Sequence, residues 1–321
     1  MRRRTAIASG IAGLLAGRAV AAEWPERPVK IVVPYAPGGP VDLVARVVGD
    51  KLAARFDQSF VVDNKPGANG AIGVQAVMAA PADGYTLLMH GSAGTTIYPV
   101  VMRNPVFDTL RDLSPISPVV LFDIILCANP ALPFKTVKEF VAYAKANPGK
   151  LSYGSAGVGA MNHVGTEWFK MMTGIDIVHV PYRGDAPVAT DVAGGTLGVS
   201  FVSSNVAIPL IQAGKLLALA VPSRKRIAIL PDVPTMAEAG YPEFDLQPST
   251  SLFGPARLDK AIVAKLSLAT KDVVAQPDVV ERFTGLGMTP AFATPEDFTI
   301  MIRKNIELWK DVAAKAKVVV E

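Results

Sequence analysis

A single cysteine and three histidines are all that the 321 residues hold of the side chains most used for covalent catalysis, metal binding and cross-linking. One thiol, Cys127, excludes an intramolecular disulfide. It closes the apolar run Ile124-Ile125-Leu126, so it reads as a small buried hydrophobe and not as a nucleophile. Neither Ser92 nor Ser155 lies in Gly-x-Ser-x-Gly, because positions 90 and 153 are His and Tyr. No residue is therefore assigned a catalytic role. His163 and Glu167 share helical i,i+4 spacing, but no His-Glu-x-x-His and no further ligand stands beside them. No metal is expected, and structural roles are assigned to His163 and to His179 on its apolar strand. No Gly-x-x-x-x-Gly-Lys-Ser/Thr occurs, and Gly157-Val158-Gly159 lacks the third glycine of a dinucleotide fingerprint. No cofactor is expected.

Long apolar runs are missing as well. The best one, Thr5–Gly17, is too short and too rich in Gly and Ala to span a bilayer. It lies between Arg2-Arg3-Arg4 and the small residues Ala19-Val20-Ala21-Ala22, the three parts of a secretory signal peptide over residues 1–22, cut after Ala21 or Ala22. The general secretory route is expected, and the paired arginines leave a twin-arginine route open. A basic excess is missing too, once that segment is set aside. The formal charge of +4 comes from 32 Lys+Arg against 28 Asp+Glu, and residues 1–22 hold four arginines and no acid, so the remainder carries 28 of each sign. A nucleic-acid partner would need a basic face, and none is expected. A secreted chain without disulfides points to the periplasm.

What is present is an alternation of short apolar runs and amphipathic stretches, 50% hydrophobic and 19% charged, enough for a sizeable core and roughly two domains. Val29–Val33 reads as a strand. Val41–Phe56 reads as a helix, with Val41, Val44, Ala45, Val48, Leu52 and Phe56 on one stripe and Pro40 at its first position. Strands at Phe60–Asp63 and Tyr85–Met89 flank a helix near Ala71–Ala80, a βαβαβ order that implies a largely parallel sheet. Val119–Ala128 reads as one long strand passing into a second α/β set, and Leu216–Val221 as the strand that returns. Helices are expected at Val137–Ala146, Asn162–Met172, Pro187–Ala193, 259–275, 277–285 and 295–315. The fold class is α/β, with a discontinuous first lobe of 23–121 plus 223–321 and a second lobe of 122–222 inserted in it. A cleft between such lobes is a common ligand site.

Four strand ends run into Gly-rich corners. Ile31–Asp42 contains Pro-Tyr-Ala-Pro-Gly-Gly, Thr86–Met89 leads to His90-Gly91-Ser92-Ala93-Gly94-Thr95-Thr96, Leu151–Tyr153 to Gly154-Ser155-Ala156-Gly157-Val158-Gly159, and Ile177–Val180 to Pro181-Tyr182-Arg183-Gly184. Free N–H groups, a helix dipole and Ser/Thr hydroxyls suit a carboxylate there. Each corner alone is also what an ordinary β–α turn looks like. Asp42, in the first turn of its helix, reads chiefly as a brace for the Pro-Gly-Gly loop, with direct ligand contact as the alternative.

These residues carry a resemblance. Trp24-Pro25-Glu26-Arg27-Pro28-Val29 followed by the Gly38-Gly39 corner, Val61 to Gly70, Asp83-Gly84-Tyr85-Thr86-Leu87-Leu88, Pro148 to Gly157, His163, His179 to Gly184, Asp191 to Gly195 and Leu230 to Thr235 together resemble the tripartite tricarboxylate transporter receptors, the Bug family. The resemblance implies a type II periplasmic binding-protein fold whose lobes close on a small carboxylate and hand it to the membrane subunits of a transporter. It implies ligand contacts from Tyr35, Ala36, Pro37, Gly38, Gly39, Asp42, Ser92, Thr95 and Thr96 in one lobe, and from Ser155, Ala156, Gly157, Gly159, His163, Tyr182 and Asp191 in the other. A monomer without direct membrane insertion is expected. A hydrolase on a similar frame and a receptor for a membrane sensor kinase are the alternatives. Ser249 to Phe253, Gly198 and Ala256 to Asp259 depart from the family pattern, the first of them with possible consequences for pocket shape.

Overall fold

The computed structural model describes residues 24–67 and 70–320; the signal-peptide reading of 1–22 lies outside them. β1 (Val29–Val33), α1 (Pro40–Phe56), β2 (Phe60–Asn64), α2 (Ala71–Met78) and β3 (Thr86–Gly91) form the expected βαβαβ start, with β1 parallel to both β2 and β3. α1 begins at Pro40, where a missing N–H costs nothing, and buries Val44, Val48 and Leu52 against the sheet. A π-helical turn, Ala93–Ile97, runs straight into the short helix α3 (Tyr98–Val101), and α4 (Thr109–Asp112) follows, capped by the Asp108 carboxylate.

The apolar run expected as one strand is two. β4 (Leu113–Phe122) pairs in the first sheet and β5 (Ile124–Ala128) in a second, with Asp123 between them. Both strands are central and buried, so the hydrophobic run continues across the break and hides it. The second unit continues with α5 (Val137–Ala146), β6 (Ser152–Ser155), α6 (Met161–Thr173), β7 (Val178–Pro181), α7 (Asp185–Gly194), β8 (Val199–Ser203), α8 (Ser204–Gln212) and β9 (Leu217–Ala220). α5 starts on a capping box, Thr136 with Glu139. β10 (Ser249–Pro255), α9 (Lys260–Val274), α10 (Pro277–Gly285), β11 (Met288–Pro290) and α11 (Pro295–Ala316) complete the chain.

The sheet orders are β11-β4-β10-β3-β1-β2 and β7-β6-β8-β5-β9. A largely parallel sheet was expected, and this is corrected: only β2-β1-β3 and β7-β6-β8 are parallel. β10 runs antiparallel between β3 and β4, and β5 runs antiparallel to β8 and β9. Nor is the return crossing at Leu216–Val221, since β9 stays at the edge of the second sheet. The chain recrosses next to Pro248, whose carbonyl accepts the Phe122 N–H at 2.7 Å, so the two crossings lie side by side.

Each sheet is covered on both faces. Met236, Phe244 and Leu246 pack with Phe140 and Phe169 in the core of the second sheet. α11 reaches both units, burying Phe298 and Ile302 with Phe253 of the first sheet and Trp309 and Val312 with the core of the second. Cys127 is fully buried, and burial pushes its thiol well above the ordinary range. Native protein should leave a thiol reagent unreacted over hours while denatured protein reacts at once. Rapid native labelling would contradict this packing.

Candidate ligand-binding site

Between the two units lies a cavity of about 220 Å³. Tyr35, Ala93, Gly94, Tyr98, Val101 and Met102 wall it from the first unit, Ala156 to Ala160 from the second, and Val320 from the end of the chain. At one point the units nearly touch: a Cβ on Gly159 would stand 3.1 Å from both Val101 and Val320. Val320 is held there by backbone bonds, its N–H donating to Val101 at 2.8 Å and its carbonyl accepting from Arg103 at 3.0 Å.

The corner after β1 is braced from within. The buried Asp42 carboxylate accepts the Gly38 N–H at 2.9 Å, Arg46 Nε at 2.9 Å and Nη2 at 3.0 Å, and Asn64 Nδ2 at 2.9 Å. Asn64 Nδ2 also reaches the Tyr35 carbonyl, 3.1 Å away. Burial alone would raise the Asp42 pKa, but the bonds from Arg46, Gly38 and Asn64 outweigh it and hold the group below the ordinary carboxylate value. Asp42 is thus directed at its own loop, and neither it nor Ala36, Pro37, Gly38 or Gly39 walls the cavity.

Tyr35 and Tyr98 are the side chains of the wall that carry a hydroxyl, and Tyr35 has a polar partner. Its hydroxyl is 3.1 Å from Nδ1 of His90, and the two rings meet edge to face. Burial raises the Tyr35 phenol and pushes His90 down to about 3, so both are neutral at physiological pH. Nε2 of His90 is buried and, among the described residues, without a partner. The ring lies between two glycines: a Cβ on Gly70 would stand 2.9 Å from Nε2, and one on Gly94 would overlap the ring. His90 has no assigned role in the sequence reading beyond being one of three histidines, because only the tertiary structure puts it behind Tyr35.

Ser92, Thr95 and Thr96 turn away from this cavity. Ser92 Oγ accepts the Ser249 N–H at 3.0 Å, and Thr96 Oγ1 donates to the Ser92 carbonyl at 2.9 Å. All three border a separate crevice of about 50 Å³ with Gln247, Ser249 and Ser251 of the second crossing. The divergent Ser249–Ser251 stretch therefore borders the crossing crevice and not the main cavity.

In the loop after β6, Ala156, Gly157 and Gly159 wall the cavity, but their N–H groups face inward. Ala156 donates to Asn162 Oδ1 at 3.1 Å, Gly157 to Ser155 Oγ at 3.3 Å and Gly159 to His163 Nδ1 at 3.0 Å. Behind them His163 stacks on His179 at 3.9 Å, His179 stacks on Tyr153, and Tyr153 donates to Glu167 at 2.6 Å. Ser155 Oγ is 2.6 Å from His179 Nε2, the distance of a hydrolase nucleophile–base pair, yet Ser155 is fully buried and does not wall the cavity. Tyr182 donates to Asp191 at the edge of α7, also outside the cavity. Of the residues singled out from the sequence, the cavity gathers Tyr35, Ala156, Gly157 and Gly159. Ala93, Gly94, Tyr98 and Val101 join through helical spacing that their short, Gly-containing sequence conceals, and Val320 through a contact across the whole chain.

Burial, helped by His179 and Lys170 against Glu167, lowers His163 to about 4. A histidine whose folded pKa is depressed stabilises the fold above its unfolded value near 6.5 and loses that contribution as pH falls through the folded value. Melting temperature should thus fall between pH 6.5 and 4, with His90 extending the loss toward 3. A melting temperature flat across that window would contradict neutral buried rings.

Residues 44–318 match the model of the tripartite tricarboxylate transporter family receptors. Protein BugT of Bordetella pertussis is 35% identical over 290 residues, 90% of this chain and 89% of its own. A solved structure of R. palustris Rpa4515 with adipate has a TM-score of 0.77 at 31% identity, over 92% of this chain and 99% of that one. MatC from Rhodopseudomonas palustris with bound malate has a TM-score of 0.73 at 28% identity, over 90% and 99%.

Proposed function

The chain belongs to the tripartite tricarboxylate transporter receptor family, and from that premise we propose a periplasmic receptor that captures a small organic carboxylate between two lobes and delivers it to the membrane subunits of a tripartite transporter. The observation that carries this reading is the cavity between the sheets, walled from both units and lined by two tyrosines, Tyr98 and Tyr35, the latter with its hydroxyl on His90. Tyr35 and the N–H groups that open the turn after β3 supply donors in a partly dry site, where a charge-assisted hydrogen bond is strong. The lobes divide and hinge at the paired crossings by Phe122 and Pro248, which moves the second boundary on from the 222 expected from the sequence. Residues 223–246 and the end of α11 ride on the second lobe through Phe244, Leu246 and Trp309. Residues 1–22 direct export, and the receptor works as a monomer without cofactor. No helix of the described residues is long and apolar enough to cross a membrane.

The test is a thermal-shift panel of malate, adipate, citrate, hexanoate and benzoate on the chain from residue 23. Binding to the native state at 100 times Kd stabilises by about 2.7 kcal/mol, so at least one carboxylate should raise the melting temperature by several degrees. No shift with any of them contradicts the reading. Tyr35→Phe should weaken the best ligand by roughly 10–100-fold, the range of a lost hydrogen bond to a charged group. Unchanged affinity would remove Tyr35 from the contact set. Ester turnover lost on Ser155→Ala would instead favour a hydrolase built on the Ser155–His179 contact.

A further inference from the structure

Resting on the receptor reading, we infer that the cavity takes a monocarboxylate with an apolar body and discriminates against a second carboxylate. The cavity runs along the helical segment from Ala93 to Val101 and on to Met102, the helical part spanning about 12 Å at helical rise. Its two ends differ. At Ala93 and Gly94 the segment begins, and the wall there includes Tyr35, whose hydroxyl meets the His90 ring that packs against Gly94. At Val101 and Met102 the segment ends, and there the carbonyl ends of its peptide dipoles favour cations and repel anions. Val320 closes that end, and the Val101 carbonyl is occupied by the Val320 N–H.

No lysine, arginine or histidine side chain is part of the wall. The neighbouring cation, Arg103, is exposed and outside it. The opposite lobe does not compensate, because four of the five N–H groups of its loop, Ala156 to Ala160, are spent on Asn162, Ser155, His163 and the Gly157 carbonyl. A second carboxylate at the far end would give up hydration and meet no charged side chain in the wall, only the neutral Tyr98 hydroxyl. An alkyl or aromatic body there gains contact with Val101, Met102 and Val320.

The neutral His90 ring sharpens the near end. With the proton on Nδ1, the ring donates to Tyr35 Oη and leaves the phenolic proton for the ligand. With the proton on Nε2, the phenol is spent as donor to Nδ1; Nε2 is without a partner among the described residues in either form. In the first tautomer Tyr35 presents a donor to one carboxylate, and that is the form a bound carboxylate selects.

Calorimetric titration of hexanoate and benzoate against adipate and malate tests this, hexanoate and adipate differing only in the second carboxylate. The better monocarboxylate is expected to bind at least tenfold more tightly than the better dicarboxylate. A smaller or reversed ratio overturns the inference and leaves the receptor reading intact, whereas no binding by any carboxylate overturns both. Met102→Arg puts a cation at the far end and should improve adipate relative to hexanoate at least tenfold. An unchanged ratio in a variant that melts normally shows that the ligand does not lie along this axis, and overturns the inference equally.

Discussion

Gly94→Ala is expected to abolish carboxylate binding and to lower the unfolding free energy by about 2 kcal/mol, within the range of overpacking a closed site. A methyl group at this position would overlap the His90 ring. The ring cannot retreat, because Gly70 closes its other side with a Cβ position 2.9 Å from Nε2. Either the turn at Ala93–Ile97 lifts, carrying Ala93, Tyr98 and Val101 out of the cavity wall, or His90 swings and abandons Tyr35. Both routes dismantle the same site. Denaturant unfolding and calorimetry on the variant measure the two losses. Pairing the substitution with His90→Ala removes the overlap, and a double-mutant cycle should then return a coupling energy above about 1 kcal/mol. Wild-type stability and affinity in Gly94→Ala would mean that the ring does not occupy this position.

Asp42→Ala is expected to cost about 2 kcal/mol, the range for buried donors left without their acceptor. Its carboxylate is 2% exposed while the Arg46 side chain is 49% exposed. Arg46 therefore recovers hydration when Asp42 is lost, but the Gly38 N–H and the Asn64 amide lose an acceptor in a closed corner. Asn64 also holds the Tyr35 carbonyl, so the substitution loosens the cavity's hydroxyl as well as the rim. Affinity should drop roughly tenfold with it, the equivalent of about 1.4 kcal/mol. Asp42→Asn keeps one acceptor and should cost less. The pH dependence has a fixed sign: a carboxylate with a depressed folded pKa contributes fully above its unfolded value of 3.8 and loses the contribution as pH falls through the folded value. The gap between wild type and Asp42→Ala should thus be constant from pH 7 to 5 and narrow below pH 4. A gap that widens on acidification would contradict the arrangement.

Helices with a clear stripe or cap were legible in the chain itself. Val137–Ala146, with its Thr136–Glu139 capping box, has the expected bounds, and α1 differs only by Pro40. The break between β4 and β5 was not, since Val119 to Ala128 is apolar on both sides of Asp123 and periodicity carries no signal for a change of sheet. β10 escaped because Ser249-Thr250-Ser251 looks like a loop, although Thr250 and Ser251 are buried between two neighbouring strands. α8, which is not among the expected helices, contains Pro209, a residue that removes a helical hydrogen bond. The corners were legible as places, but what their donors do was not. The N–H groups after β6 are spent on Asn162, Ser155 and His163, and this depends on side chains whose positions only tertiary packing fixes. For the same reason Asp42 could be read as a brace from its place in the first turn, whereas His90 behind Tyr35 could not.

A crystal structure of the secreted chain with the tightest carboxylate of the panel tests the central claim most directly. The account predicts a carboxylate in the cavity between the lobes, one oxygen within hydrogen-bonding distance of Tyr35 Oη, beside Ala93 and Gly94, with the body of the ligand toward Val101 and Val320. A ligand seated instead in the crevice of Ser92, Gln247 and Ser249, or on the outer surface of either lobe, would contradict it.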